Sequence, residues 1–139
     1  MHRAGDIGLA RVLPLGALTV GLNGERLAEL AGLAKAGCVA FSQANRQVVD
    51  TQSLLRALEY AATFGFSVWL QPEDHWLARN GIAHEGEVAS RLGLAGIPVS
   101  AETVALATYL QLAADTGVRM HFTRLSSAAG IAAVEKAKA

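Results

Sequence analysis

Short apolar runs, each followed by a segment of helical pattern, restrict what this chain can become. The runs are Val12 to Val20, Cys38 to Phe41, Phe66 to Leu70 and Val118 to Leu125. Strands that are apolar on both faces belong to parallel sheets covered by helices. Between the runs, Leu27, Leu30, Ala31 and Ala34 share one helical face, and Leu54, Leu55, Leu58 and Ala62 share another. Thr51 and Ser100 are positioned to cap helices, and Gly37, Gly65 and Gly117 to end them. The segments 73–80 and 85–92 read as short helices, with 81–84 as a loop. Strand then helix, repeated about four times, predicts an α/β fold with right-handed crossovers.

The chain has 139 residues, enough for one domain with a core. A complete (β/α)8 barrel takes about 250 residues. The pattern therefore fits either a small open doubly wound sheet or about four βα units of a TIM-type barrel. Hydrophobic residues make up 52% of the chain and charged residues 17%. That apolar excess points to surface buried against a partner chain or a further part of the same protein. Twelve basic residues balance twelve acidic ones and are scattered, which argues against nucleic acid as a partner. The lone Cys38 can form no internal disulfide or zinc–thiolate cluster and reads as a buried thiol in a reducing cytoplasm. Residues 1–22 have a basic start and an apolar stretch, but Asp6, Arg11 and Pro14 interrupt it. It reads as the approach to a strand, with no membrane association.

In parallel α/β folds, chemistry gathers at the C-terminal ends of the strands. Those ends are Leu18-Thr19, Ser42 to Ala44, Gln71, and Arg124 to Ser127. No G-x-G-x-x-G or Walker-type loop follows any run, which argues against a dinucleotide or nucleoside triphosphate site. Ser126 and Ser127 lack a nucleophile elbow and read as the start of a helix. The four histidines, His2, His75, His84 and His121, form no H-x-H pair and no i, i+4 pair. Only His121 falls in an apolar run. In a regular strand it faces the opposite side from Arg124, three residues on.

Residues 37–42 (GCVAFS), 70–74 (LQPED), 81–103 (GIAHEGEVASRLGLAGIPVSAET) and 121–127 (HFTRLSS) resemble the dihydroorotases. The run EGE-x-x-S-x-LGL-x-x-IP-x-x-AE over 85–102 is the most specific of these. The resemblance implies a (β/α)8 barrel of the amidohydrolase superfamily, of which residues 1–139 form a single segment from the central part. It also implies hydrolysis of a cyclic amide by water activated between two zinc ions. The ligands implied are an H-x-H pair and a late aspartate, both outside this chain, and three groups within it. The bridging carboxylate corresponds to Ala44, the next ligand to Gln71 in QPED, and the histidine of H-x-x-H-x-S-[ST] to Arg124. Alanine has no donor atom, a neutral amide is a poor zinc ligand, and arginine is a permanent cation without a lone pair to give. No catalytic residue, metal ligand or cofactor is therefore expected in this segment. A vestigial pocket is expected around Ser42, Glu73 and His121, with Arg124 as a fixed charge near Glu73 or Asp74.

The pattern resembles the inactive dihydroorotase-like proteins that accompany aspartate transcarbamoylase. It implies a cytoplasmic, structural protein of pyrimidine biosynthesis. The alternative is an active zinc-dependent cyclic amidohydrolase once the rest of the barrel is present. Parallel strands left as raw edges further predict a homo-oligomer.

Overall fold

The computed structural model describes residue 6 and residues 8–138. His2 and the first residues of the N-terminal stretch lie outside them. The elements run β1 (Leu15–Ala17), a 3-10 turn (Val20–Leu22), α1 (Leu30–Lys35), β2 (Ala40–Ser42), α2 (Thr51–Thr63) and β3 (Ser67–Leu70). They continue with α3 (His75–Ala78), β4 (Ala83–His84), α4 (Glu87–Arg91), β5 (Gly96–Ile97), α5 (Val99–Thr116), β6 (Arg119–Phe122) and α6 (Ala128–Lys138).

β1, β2, β3 and β6 form one parallel sheet in that spatial order. The expected α/β arrangement with four parallel strands is thus present. Register places Gly16 beside Phe41, Phe41 beside Val68, and Val68 beside Met120. These residues share the helix-covered face. Phe41, Val68 and Leu70 are buried there with Leu54, Leu58 and Ala61 of α2 and Ala105 and Tyr109 of α5. Complete burial of one Leu or Phe side chain contributes about 1.5–3 kcal/mol, so this cluster is the main source of cohesion. Gly16 makes it possible, because a Cβ at that position would lie 2.7 Å from the Phe41 ring. On the opposite face the rings of Trp69 and His121 lie 4.6 Å apart. There Trp69 is half-buried and His121 exposed.

Several ends differ from expectation. The N-cap of α2 is Asp50, whose carboxylate accepts from the backbone N–H groups of Gln52 and Ser53, and Thr51 is the first helical residue. Helix α5 starts at Val99 after Pro98, so Ser100 lies within its first turn. Proline in an extended conformation can precede a helix without a donor to satisfy. The loop expected at 81–84 holds β4, which pairs in parallel with β5 through Ala83–Gly96 and His84–Ile97. Two-residue strands carry too little pattern to be recognised in sequence. Together α3, β4, α4 and β5 form an excursion inserted between β3 and α5. No helix among the described residues is long and apolar enough to cross a membrane.

Candidate functional site at the strand ends

Two polar tie-points close the C-terminal rim of the sheet. At the ends of β1 and β2, Thr19 and Gln43 are each 1% exposed. The Gln43 amide donates to the Thr19 hydroxyl (2.8 Å), which also lies 3.0 Å from the Gln43 carbonyl oxygen. The Gly24 amide donates to the same hydroxyl. A buried amide and hydroxyl are costly unless paired, and here each satisfies the other.

The second tie spans β3 and β6. Arg124 Nη1 donates to Gln71 Oε1 at 2.9 Å. Gln71 Nε2 lies 3.4 Å from Glu73 Oε2, and Gln47 Nε2 donates to Glu73 Oε1 at 2.7 Å. The chain Arg124–Gln71–Glu73–Gln47 thus joins the loop after β2 to the ends of β3 and β6. Within it the Arg124 cation and the Glu73 carboxylate are bridged by the Gln71 amide. The charge expected near Glu73 is therefore relayed through Gln71.

The strand-parity argument for His121 and Arg124 does not extend as far as Arg124. β6 ends at Phe122, and Arg124 has a left-handed backbone (φ 59°). Alternation stops with the strand, and the turn swings the guanidinium to Gln71. Gln71 follows Trp69 by two positions, and Trp69 stacks on His121. Gln71 and Arg124 line one cavity and His121 another, so His121 and Arg124 remain apart. Ala44 is also left-handed (φ 55°), and its amide donates to the Ser42 hydroxyl at 3.0 Å.

A carboxylate in the first turn of α5 organises the last strand end. Glu102, 8% exposed, accepts from Ser126 N (2.7 Å) and Oγ (2.9 Å). It also accepts from Ser127 N (3.1 Å) and Oγ (2.5 Å). The Ser127 hydroxyl in turn accepts from Gly130 N at 2.9 Å, so Ser127 caps α6 as expected. Burial raises the Glu102 pKa, but the bonds from Ser127 and Ser126 outweigh it and hold the carboxyl below its ordinary value of 4.5. The signal available in sequence was the Ser-Ser pair, but its partner lies 24 positions away.

A cavity of about 320 Å³ opens between these groups and the excursion. Gln71, Glu73, Arg124 and Ser126 line its polar side, and Ile82, Ile97 and Pro98 its apolar side. Of the expected vestigial pocket, Glu73 lies here. Ser42 instead holds the Ala44 amide, and His121 stacks on Trp69. Tyr109 borders a neighbouring cleft with Glu73 and Asp74. Burial, reinforced by the charges of Asp74 and Glu73, pushes its phenol up to about 12.

Zinc does not fit the residues present. Ala44 offers a methyl group, the Gln71 oxygen is engaged by a guanidinium, and the Arg124 cation would repel a metal ion. Among the described residues, no three His, Cys, Asp or Glu side chains converge to hold a metal.

Residues 2–129 match the family model described as dihydro-orotase-like. The chain belongs to the dihydroorotase-like family. It is 52% identical over 139 residues to a dihydroorotase-like protein of Pseudomonas aeruginosa, and 50% identical over 138 residues to one of Pseudomonas putida. It is 45% identical over 138 residues to a dihydroorotase of Anaeromyxobacter sp. (strain K). These matches cover 99–100% of this chain but only 32–33% of each relative, so the chain spans about a third of their length. Among solved structures, L-hydantoinase (dihydropyrimidinase) from Arthrobacter aurescens superposes with a TM-score of 0.66 at 19% identity. That superposition covers 91% of this chain and 29% of the hydantoinase. The fold is accordingly a partial TIM-type barrel.

Proposed function

We propose that this dihydroorotase-like segment belongs to a barrel that has given up metal-dependent amide hydrolysis and acts as a structural protein. In this reading the barrel is cytoplasmic and supports an aspartate transcarbamoylase complex in pyrimidine biosynthesis. It works as part of an oligomer, without a metal cofactor. The observation that carries the reading is the Arg124–Gln71 hydrogen bond, extended to Glu73 and Gln47. Where the resemblance implies two zinc ligands, a cation and an amide satisfy one another. Hydrolysis of a cyclic amide needs a Lewis acid or an activated water at that place, and a guanidinium supplies neither. The polar chain instead ties three strand ends together, which is what a scaffold requires of its rim.

The test uses the full-length protein, purified without chelator. Elemental analysis is expected to find zinc well below one equivalent, and dihydroorotase turnover is expected to stay at background after zinc or manganese is added. Mixing with aspartate transcarbamoylase is expected to give a single complex of higher mass by light scattering. Chelator-sensitive turnover would overturn the reading in favour of an active zinc-dependent amidohydrolase whose remaining ligands lie elsewhere in the barrel. Failure to form the complex would remove the scaffolding role while leaving the loss of catalysis intact.

A further inference from the structure

The phenol of Tyr109 is a buried donor that the polar rim does not use. Tyr109 is 5% exposed, yet its hydroxyl has no hydrogen-bond partner among the described residues. No fully enclosed polar side-chain atom among those residues lacks a partner, so the hydroxyl opens onto the cleft that Tyr109 lines. That cleft is a cavity of about 90 Å³ between the loop after β2, the start of α2, the loop after β3, and α5. Val48 and Leu54 are buried beneath it, and the half-buried Glu73 and Asp74 form one wall. The lining comes from residues 47–109 alone, so it does not depend on how the barrel is completed. Sites for drug-sized ligands take roughly 300–1,000 Å³, and this one has room only for a small group.

The groups that face this space are short of donors and of positive charge. Asp74 Oδ1 accepts from Trp76 N at 3.0 Å and Leu77 N at 2.8 Å, while Oδ2 accepts from no described residue. Glu73 Oε1 accepts from Gln47, and Oε2 lies 3.4 Å from Gln71, which leaves each oxygen a further lone pair. No lysine or arginine lines the cavity. Burial, with the charges of Asp74 and Glu73, keeps the phenol protonated at neutral pH, so its oxygen still has lone pairs to offer. Water would fill those lone pairs but leave two carboxylates uncompensated. A calcium ion takes six to eight oxygens, more than this lining presents. A primary ammonium brings three N–H donors and one positive charge in a compact head. We propose that the cavity holds a primary alkylammonium group, seated against Asp74 Oδ2, a Glu73 oxygen and the Tyr109 hydroxyl. A free small amine and a lysine side chain of the same protein are the two sources of that group. Binding there is independent of whether the barrel retains catalysis.

The test uses the full-length protein with n-butylammonium chloride as the probe, followed by saturation-transfer NMR. Butylammonium is expected to bind saturably. Tetramethylammonium, which has the charge but no N–H, and n-butanol, which has no charge, are each expected to bind at least about tenfold more weakly. Tyr109→Phe removes only the hydroxyl, and Asp74→Asn removes the charge while keeping a competent cap for α3. Each is expected to raise the Kd for butylammonium about tenfold, with circular dichroism unchanged. Reductive methylation read by mass spectrometry separates the two sources. Where a lysine of the protein fills the cavity, the wild type takes up no butylammonium, and one lysine resists methylation until Asp74→Asn frees it. Either result supports the proposal. The absence of both butylammonium binding and an Asp74-dependent protected lysine overturns it. So does tetramethylammonium binding as tightly as butylammonium, or a Kd indifferent to both substitutions.

Discussion

Glu102 has the chemistry of a cap but the address of a residue in another helix. It stands in the first turn of α5, yet both of its oxygens are spent on Ser126 and Ser127 ahead of α6. Glu102→Gln keeps the shape but turns an NH2 toward backbone donors. At neutral pH it is expected to lower the stability of the full-length protein by about 1–3 kcal/mol, read from the urea midpoint. The folded carboxyl titrates below 4.5, the ordinary value. Its contribution is therefore fully present above that pH and is lost as pH falls through the lowered folded value. The gap between wild type and variant should close on acidification. A gap of constant size would show that the loss is steric. Gly130→Ala offers a cross-check, since a Cβ there would lie 2.1 Å from Glu102 Oε1. It is expected to be destabilising in the wild type and partly redundant with Glu102→Gln.

At the scale of elements, the helix caps show which signals carry and which do not. Asp50 caps α2, and the Ser53 hydroxyl, followed by the Gln52 amide, holds its carboxyl below the ordinary range. Asp50→Ala is expected to reduce the urea midpoint without altering the slope of the transition. Asp50→Asn should retain most of the cap. Asp50 contributes above its ordinary pKa and ceases to do so as pH falls through its lowered one, so the alanine defect should shrink in acid. Thr51 and Asp50 are both competent caps by composition. Only the backbone decides, and Asp50 is the one left extended ahead of the helix. The runs at Cys38 and Phe66 were legible as strands because they are short, apolar and bounded by turn residues, and the Val118 run because Val118, Met120 and Phe122 alternate with Arg119, His121 and Thr123. β4 and β5 were not, since two residues cannot show a period. The rim was legible in its parts: the residue types at Ala44, Gln71 and Arg124 already argued against zinc. Their arrangement was not legible. It depends on a left-handed arginine, which no glycine or asparagine announces, and on pairs such as Gln47–Glu73 and Glu102–Ser127 that are distant in sequence.

For the whole molecule, the decisive fact is that a curved parallel sheet has been given two ends. Among the described residues β1 pairs with β2 alone and β6 with β3 alone. Thr123 N donates to Leu70 O, so the N–H groups of Met120 and Phe122, one residue out of phase, point toward the free side. An open strand edge is a template for another strand. The opposite face adds the half-buried Trp69 and the exposed His121. A chain about a third as long as its relatives has these edges continued by neighbouring strands when the rest of a barrel is present. Residues 1–139 expressed alone must satisfy them otherwise, and strand pairing between copies is the available route. Small-angle scattering on the isolated segment is expected to report a mass above that of the monomer, rising with concentration. Amide exchange at Met120 and Phe122 should be slower in the associated form than after dilution. A compact monomer with fast exchange at both positions would mean that the sheet tolerates its open edges, and the case for association through them would fall.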